Sequence, residues 1–147
     1  VTPLQLAEVA AAIATGRRVT PRLLAELNGR PAGEPEGAAL GIVTDRIRQG
    51  MQLVVSDGTA RAAFADSRFD VLRPYLRVKT GTADLDETGA VQNAWLVGWL
   101  EPGALPGESR RLAFACLISH AAGTGGEECG PVVAEWLAAL ASVKDTP

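Results

Sequence analysis

An α+β fold, an antiparallel meander sheet with helices packed on it, is what this sequence predicts, on three observations. Apolar residues recur at helical spacing near both ends of the chain, and the period falls to two between residues 76 and 119. The three apolar runs of that middle stretch are joined by short connections, which make sequential strands antiparallel neighbours. At 147 residues the chain is one domain or a part of one. Its hydrophobic share is 47%, much of it alanine, which suits helix-on-sheet packing with close backbone approach better than an aromatic core.

The first helix is written in its caps. Thr2 can cap it, Pro3 takes the first helical position, Gln5 falls three after the cap, and Gly16 closes it. Leu6, Val9, Ala10 and Ile13 share its apolar face. Only Val1 precedes the cap, an opening expected of a piece cut from a longer protein. Residues 17–27 read as extended with a proline turn, and Asn28 to Gly37 as an exposed loop rich in glycine and proline. A second helix is expected from about Gly41 to Val55, burying Ile47, Met51 and Val54. Ser56-Asp57-Gly58-Thr59 breaks it, a helical turn follows at Arg61 to Ala65, and Pro74 fixes the entry to the sheet.

Leu76 to Ala83, Gln92 to Leu100 and Arg111 to Ser119 are the three strands. The last two are apolar on both faces, so both faces are expected to be covered. One face of each is small (Ala94 and Gly98; Ala113 and Ala115). The closing helix, from Pro131 to about Ser142, is expected to pack there through Val132, Val133, Trp136, Leu137 and Leu140.

Several function classes fall away. A net charge of −3 excludes the basic footprint of a nucleic-acid binder. No apolar run is long enough to span a membrane, and the N-terminus has no signal-peptide pattern. Cys116 and Cys129 form no C-x-x-C pair and, with His120 the lone histidine, no zinc set, so no metal or cofactor is implied. The two thiols read first as structural, then as a disulfide; a catalytic cysteine has no base assigned to it. The turn at Asp84 begins like a calcium loop, but Trp95 stands where a bidentate glutamate is required. The glycines of a phosphate loop are missing before Lys79, and Ser119-His120 has no nucleophile elbow around it.

What remains is Lys79-Thr80-Gly81-Thr82. A lysine supplies a fixed positive field, and threonine hydroxyls can donate to a carboxylate, each charge-assisted bond contributing roughly 1.5–3 kcal/mol. Gly81 leaves room for a peptide to pair along the strand, and a backbone N–H there can stabilise an oxyanion, typically about 10²–10³ in rate.

The surroundings of this stretch carry a resemblance. V-T-P-L-Q-L-A at 1–7, G-M-Q-L-V-V-S-D-G-T-A at 50–60, K-T-G-T-A at 79–83, N-A-W-L-V-G-W-L at 93–100 and G-P-V-V-A-E-W-L at 130–137 occur in order. Together they resemble the C-terminal part of penicillin-binding protein transpeptidase domains, in which K-T-G is the third signature. On that resemblance, residues 1–147 are the C-terminal portion of a single transpeptidase domain, with a loop at about 28–37 and the sheet and closing helix at about 76–142. It implies a D,D-transpeptidase that cross-links peptidoglycan stem peptides through a serine acyl-enzyme and is acylated by β-lactams. Its implied partners are the N-terminal part of the same domain, the stem peptide and β-lactams. Its implied place is outside the cytoplasm, with a membrane-anchored parent.

Carried over residue by residue, Lys79 maintains the electrostatics of the site. Thr80 and Thr82 hold the donor carboxylate with Gly81 between them, and the Thr82 N–H is half of the oxyanion hole. Trp95 and Trp99 are expected to be packing. The sequence departs from the family pattern in two ways. Ser56, Ser67, Ser109, Ser119 and Ser142 are the only serines; none is followed three residues later by lysine, and there is no S-x-N. The nucleophile is therefore expected outside this chain, which alone is expected to be inactive. Arg77-Val78 also stands where small residues commonly precede the lysine. A β-lactamase-type hydrolase and a non-catalytic binding module are the alternatives.

Overall fold

The computed structural model describes residues 1–24, 26–31, 37–85, 87–89 and 91–142. Parts of the expected loop at 28–37 and of the acidic turn after Asp84, and the last five residues, lie outside them. Helix α1 (Pro3–Thr15) is capped as its sequence requires: the Thr2 N–H donates to Gln5 Oε1 at 2.8 Å, and the Gln5 N–H to Thr2 Oγ1 at 3.3 Å. Gly16 ends it with φ +68°, a left-handed conformation that glycine adopts without a Cβ penalty. Two short strands, β1 (Glu26–Leu27) and β2 (Arg30–Pro31), pair across Asn28-Gly29. The positive φ of both turn residues is the signature of a tight hairpin turn, which the loop reading of this stretch missed.

Helix α2 (Asp45–Ser56) starts later than expected, because Gly41 takes φ +69° and leaves Thr44 as the cap. Its buried stripe is Met51 and Val55, with Val54 packed beside them. Ile47, expected to be buried, is 43% exposed and faces a hollow between α1 and α2 that Val97 and Lys79 also line. Three 3₁₀ turns (Ala62–Phe64, Ser67–Phe69 and Arg73–Tyr75) then lead into the sheet. The first two set Phe64 and Phe69 edge to face with ring centroids 5.7 Å apart, both buried in the main core.

Strands β3 (Leu76–Asp84), β4 (Gln92–Leu100) and β5 (Leu112–Ala121) form an antiparallel sheet in the order β3-β4-β5. Pairing partners run from Leu76↔Leu100 to Asp84↔Gln92, and from Leu100↔Leu112 to Ala94↔Ile118 with a shift beyond Ala94. One face (Val78, Leu96, Leu100, Phe114) meets helix α3 (Gly125–Ser142) through Val133 and Leu137. The other meets α1, where Ala10 and Ala14 lie against Trp99, Val97 and Ala113 with Met51 alongside. The sheet is thus sandwiched, as its apolar strands require. The two small faces do not serve one helix, however. Ala94 belongs to the α3 face and Ala113 to the α1 face.

The α3 boundary also corrects the sequence reading. The helix begins at Gly125 and Pro131 lies inside it. Glu127 fixes the start: its Oε2 accepts from Thr124 N at 2.9 Å and Thr124 Oγ1 at 2.8 Å. Those bonds hold the Glu127 carboxyl below its usual range. Val132 and Trp136 are at the rim of the stripe, 52% and 39% exposed. In α1 the same shift appears: Ala10 and Ala14 are buried, while Val9 is 52% exposed. Small residues let each helix sit close, and larger neighbours are left at its edge.

On the α1 side, Glu101 ties the layers together. It accepts from Trp99 Nε1 at 2.9 Å and Arg111 Nε at 2.7 Å, and Arg48 approaches to 4.0 Å while donating to the last buried carbonyl of α1, Ala14 O, at 2.7 Å. Burial alone would raise the Glu101 carboxyl. The hydrogen bonds from Trp99 and Arg111 and the charges of Arg111 and Arg48 outweigh it and hold the group below its ordinary value of 4.5.

A folded-state value below the unfolded one means that the folded state binds fewer protons, so this stabilisation is present above about pH 4.5 and lost as pH falls through the folded value. Glu101→Gln is expected to lower unfolding free energy by about 1–3 kcal/mol at pH 7. Urea titrations should show parent and variant converging at acid pH. A deficit that persisted unchanged into acid would rule out the charge as its cause.

Candidate functional site

Strand β3 is an edge of the sheet, and its outer side has no strand partner among the described residues. Its hydrogen-bonding phase follows from its ends. Glu101 N donates to Tyr75 O at 2.9 Å and Leu85 N to Val91 O at 2.8 Å, both in the β3–β4 register. An antiparallel ladder alternates, so odd-numbered residues direct N–H and C=O into β4, and Leu76, Val78, Thr80, Thr82 and Asp84 direct theirs to the open edge. The Thr80 carbonyl and the Thr82 N–H therefore face outward, two residues apart. Arg77 donates to the outward Leu76 carbonyl at 3.0 Å, and Lys79 Nζ to that of Thr80 at 2.5 Å. An extended ligand pairing here would displace Lys79 Nζ from that carbonyl and meet its charge.

Side chains reach the edge from both faces. Lys79 and Gly81 lie on the α1 side, where they line a cleft of about 290 Å³ with Leu6, Thr80, Thr82, Ala83, Trp95 and Val97. Trp95, expected to be packing, is thus a wall of the cleft, while Trp99 is fully buried. Gly81 matters here: a Cβ at that position would stand 3.5 Å from Trp95 Cβ and fill the floor. A second hollow of about 210 Å³, entirely apolar, runs between α1 and α2 and shares Leu6, Lys79 and Val97 with the first.

Thr80 and Thr82 present their hydroxyls on the α3 side. Thr80 Oγ1 is 2.5 Å from Thr59 Oγ1, and Thr82 Oγ1 accepts from the Gly125 N–H at 3.3 Å. Because Thr82 accepts from the helix, its own proton is free for an acceptor at the edge. The α3 N-terminus also brings its partial positive charge up behind the two hydroxyls. This approach is possible only for glycine: a Cβ on Gly125 would lie 2.1 Å from Trp95 O and 2.4 Å from Gly81 O, and one on Gly126 would lie 2.0 Å from Thr59 O.

Sequence reading placed Lys79, Thr80, Gly81 and Thr82 together, and the structure brings them to one edge. It missed Thr59 and the start of α3. The glycine-threonine break at 58–59 and the Thr124-Gly125-Gly126-Glu127 run were the available signals, both readable as plain loops. Ser119 and His120 hydrogen-bond each other at 2.9 Å at the end of β5. Among the described residues no group of three or more His, Cys, Asp or Glu is arranged to hold a metal ion.

An open strand edge, a cation beside it and two hydroxyls backed by a helix N-terminus thus converge at one place on the sheet. The family is settled by comparison. Residues 1–138 match the model of the penicillin binding protein transpeptidase domain, and the chain belongs to that family. It is similar to a chain in the solved structure titled "Structural coordination of polymerization and crosslinking by a peptidoglycan synthase complex". The two are 25% identical with a TM-score of 0.77, over 99% of this chain and 24% of that one. The chain thus spans about a quarter of that relative's length. No curated protein matches it significantly. Among the described residues, no helix is long and apolar enough to cross a membrane.

Two glycine substitutions test the close approach of α3. Gly125→Ala should lower stability by about 1–3 kcal/mol through overpacking. Gly50→Ala, at an exposed α2 position where a Cβ meets nothing, should raise it by about 0.5–1 kcal/mol. Thermal denaturation of both variants decides the matter, and a neutral Gly125→Ala would mean that the helix is not held against β3.

Proposed function

We propose that this chain is the C-terminal portion of a D,D-transpeptidase domain. It presents the strand on which a peptidoglycan stem peptide docks, while the acylated serine comes from the N-terminal part of the same domain. The observation that carries this reading is the open β3 edge with the Thr82 N–H, Lys79 and two hydroxyls converging on it. The absence of S-x-x-K and S-x-N from the sequence supports the assignment of the nucleophile to another segment.

In this mechanism the donor peptide lies antiparallel to β3. Its terminal carboxylate accepts from the Thr80 and Thr82 hydroxyls, with the Lys79 ammonium leaving the Thr80 carbonyl to balance the charge. Gly81 leaves space beneath the peptide. As the serine oxygen attacks the penultimate carbonyl carbon, negative charge develops on the carbonyl oxygen, and the Thr82 N–H donates to it. The second donor of the oxyanion hole comes with the serine. The bond to the terminal residue breaks and that residue leaves as a free amine. The acyl group then passes from the serine to the amine of a neighbouring stem peptide, which forms the cross-link and restores the serine hydroxyl. A β-lactam enters by the same contacts, because its carboxylate and amide carbonyl repeat the spacing of the peptide terminus. Such an enzyme works outside the cytoplasm, carried by a parent anchored in the cytoplasmic membrane.

Two experiments test this. Incubated alone with a fluorescent penicillin, the chain should take no covalent label, whereas a longer chain that includes the upstream sequence should be labelled on a serine outside residues 1–147. A label on the chain alone would overturn the reading. In the complete domain, Thr80→Val should reduce the second-order acylation rate about 10–100-fold, as expected for one lost bond to a charged group. Acylation at the parent rate would remove Thr80 from the carboxylate site.

A further inference from the structure

The mechanism makes no use of the two thiols, yet the fold brings them together. Cys116 lies on β5 opposite Leu96, on the sheet face that receives α3, and packs against the core cluster that contains Cys129. Cys129 lies in the first third of α3 and has no accessible surface. Its Sγ donates to Ala94 O at 3.2 Å, which sets the sulfur directly over β4. Ala94 pairs with Ile118 and Leu96 with Cys116, so the sulfur stands one step along the sheet from Cys116. Burial first, then the neighbouring Cys116 thiol, push the Cys129 thiol up to about 12. Both are reduced in this structure.

We propose that Cys116 and Cys129 are a disulfide-forming pair that staples the first third of α3 to strand β5. The two residues differ in access. Cys116 is partly exposed, and Cys129 is sealed in the core. Cys116 therefore meets the oxidant first. Its thiolate attacks one sulfur of a small disulfide or oxidised dithiol, and the other sulfur leaves as a thiolate. Cys129 then loses its proton and attacks the Cys116 sulfur. The Cys116–Cys129 bond forms, and the second donor thiolate departs. The two cysteines lose two hydrogens in all, and the donor gains them.

The staple closes the segment 117–128, which contains the β5–α3 turn. It acts on the site through α3, whose first residue, Gly125, lies against Gly81 and donates to Thr82 Oγ1. Cross-linking one turn beyond that contact holds the helix start against β3. The inference is independent of the transpeptidase reading, because it needs only the packing of α3 on the sheet.

Trypsin leaves both cysteines in one peptide, residues 112–144. The native protein is incubated with oxidised glutathione, quenched in acid, denatured, alkylated and digested. The expected product is a peptide that lacks two hydrogens, carries no alkyl group and regains two alkylation sites after reduction. The oxidised protein should also melt about 5–10 °C above the reduced form, as closure of a short loop predicts. Cys129→Ser should stop at a glutathione adduct on Cys116. Two alkylated thiols in the parent, a lasting glutathione adduct there, or a disulfide between two copies of the chain would each overturn the proposal.

Discussion

The contact on which the rest of this structure depends is the start of α3 laid directly on the backbone of β3 and β4. Edge strands are held by one neighbour only, and an edge that must stay open to bind a chain cannot be braced from its open side. The brace comes from below. Gly125 and Gly126 bring helix backbone onto Gly81, Trp95 and Thr59 at a separation where any Cβ would collide, and Gly130 does the same against Ala63. The glycines at this helix start therefore serve contact rather than flexibility. Their conformational freedom in the unfolded chain is a cost. Burial of Cys129, Val133 and Leu137 one to three turns later offsets it.

The opposite face is held by different physics. There the helices cannot approach through glycine, and alanines at positions 10 and 14 let α1 lie against Trp99. Charge completes the joint. Glu101 sits among Arg48, Arg77 and Arg111, and the balance is local: burial lowers the Arg77 guanidinium from its ordinary value, Glu101 opposes that, and Arg48 adds to it. A half-buried carboxylate is stable there because Trp99 and Arg111 satisfy it by hydrogen bonds. One face of the sheet is thus apolar and glycine-spaced, the other alanine-spaced and ionic at its rim. The β3 edge between them has no strand partner on its outer side among the described residues.

Much of the fold was legible because local rules and global packing agree. The α1 caps and the bounds of β4 are where the residues put them, since Thr2, Pro3, Gln5 and Gly16 have one consistent helical meaning. The sequence of α3 misleads because its local signals conflict with its tertiary role. Gly125-Gly126 reads as a turn and Pro131 as a first helical residue, and neither reading includes a strand backbone that only glycine can approach. Ile47 and Val9 mislead for a related reason: a helical stripe shows which residues share a face, but not which of them meet the sheet and which line the hollow left between α1 and α2. In the site, the adjacent residues 79–82 were visible as a group. Thr59, 21 residues upstream of Thr80, becomes a neighbour only through the fold.

The phase of β3 sharpens what that site can do. If the ladder were shifted by one residue, Lys79 and Gly81 would direct their backbone outward, and both threonine N–H groups would be consumed by β4. The observed phase is fixed from both ends, at Tyr75–Glu101 and Leu85–Val91. It leaves the Thr80 carbonyl and Thr82 N–H as the acceptor and donor of a two-residue slot, the unit with which an extended peptide pairs. Lys79 closes that slot upon itself, its ammonium on the Thr80 carbonyl. The arrangement keeps the edge satisfied without covering it, and in the proposed function the incoming carboxylate supplies the counter-charge that releases the lysine. On the proposed function, an edge of this kind resists pairing with another neutral strand, which cannot compensate the displaced ammonium, and admits a chain that ends in an anion.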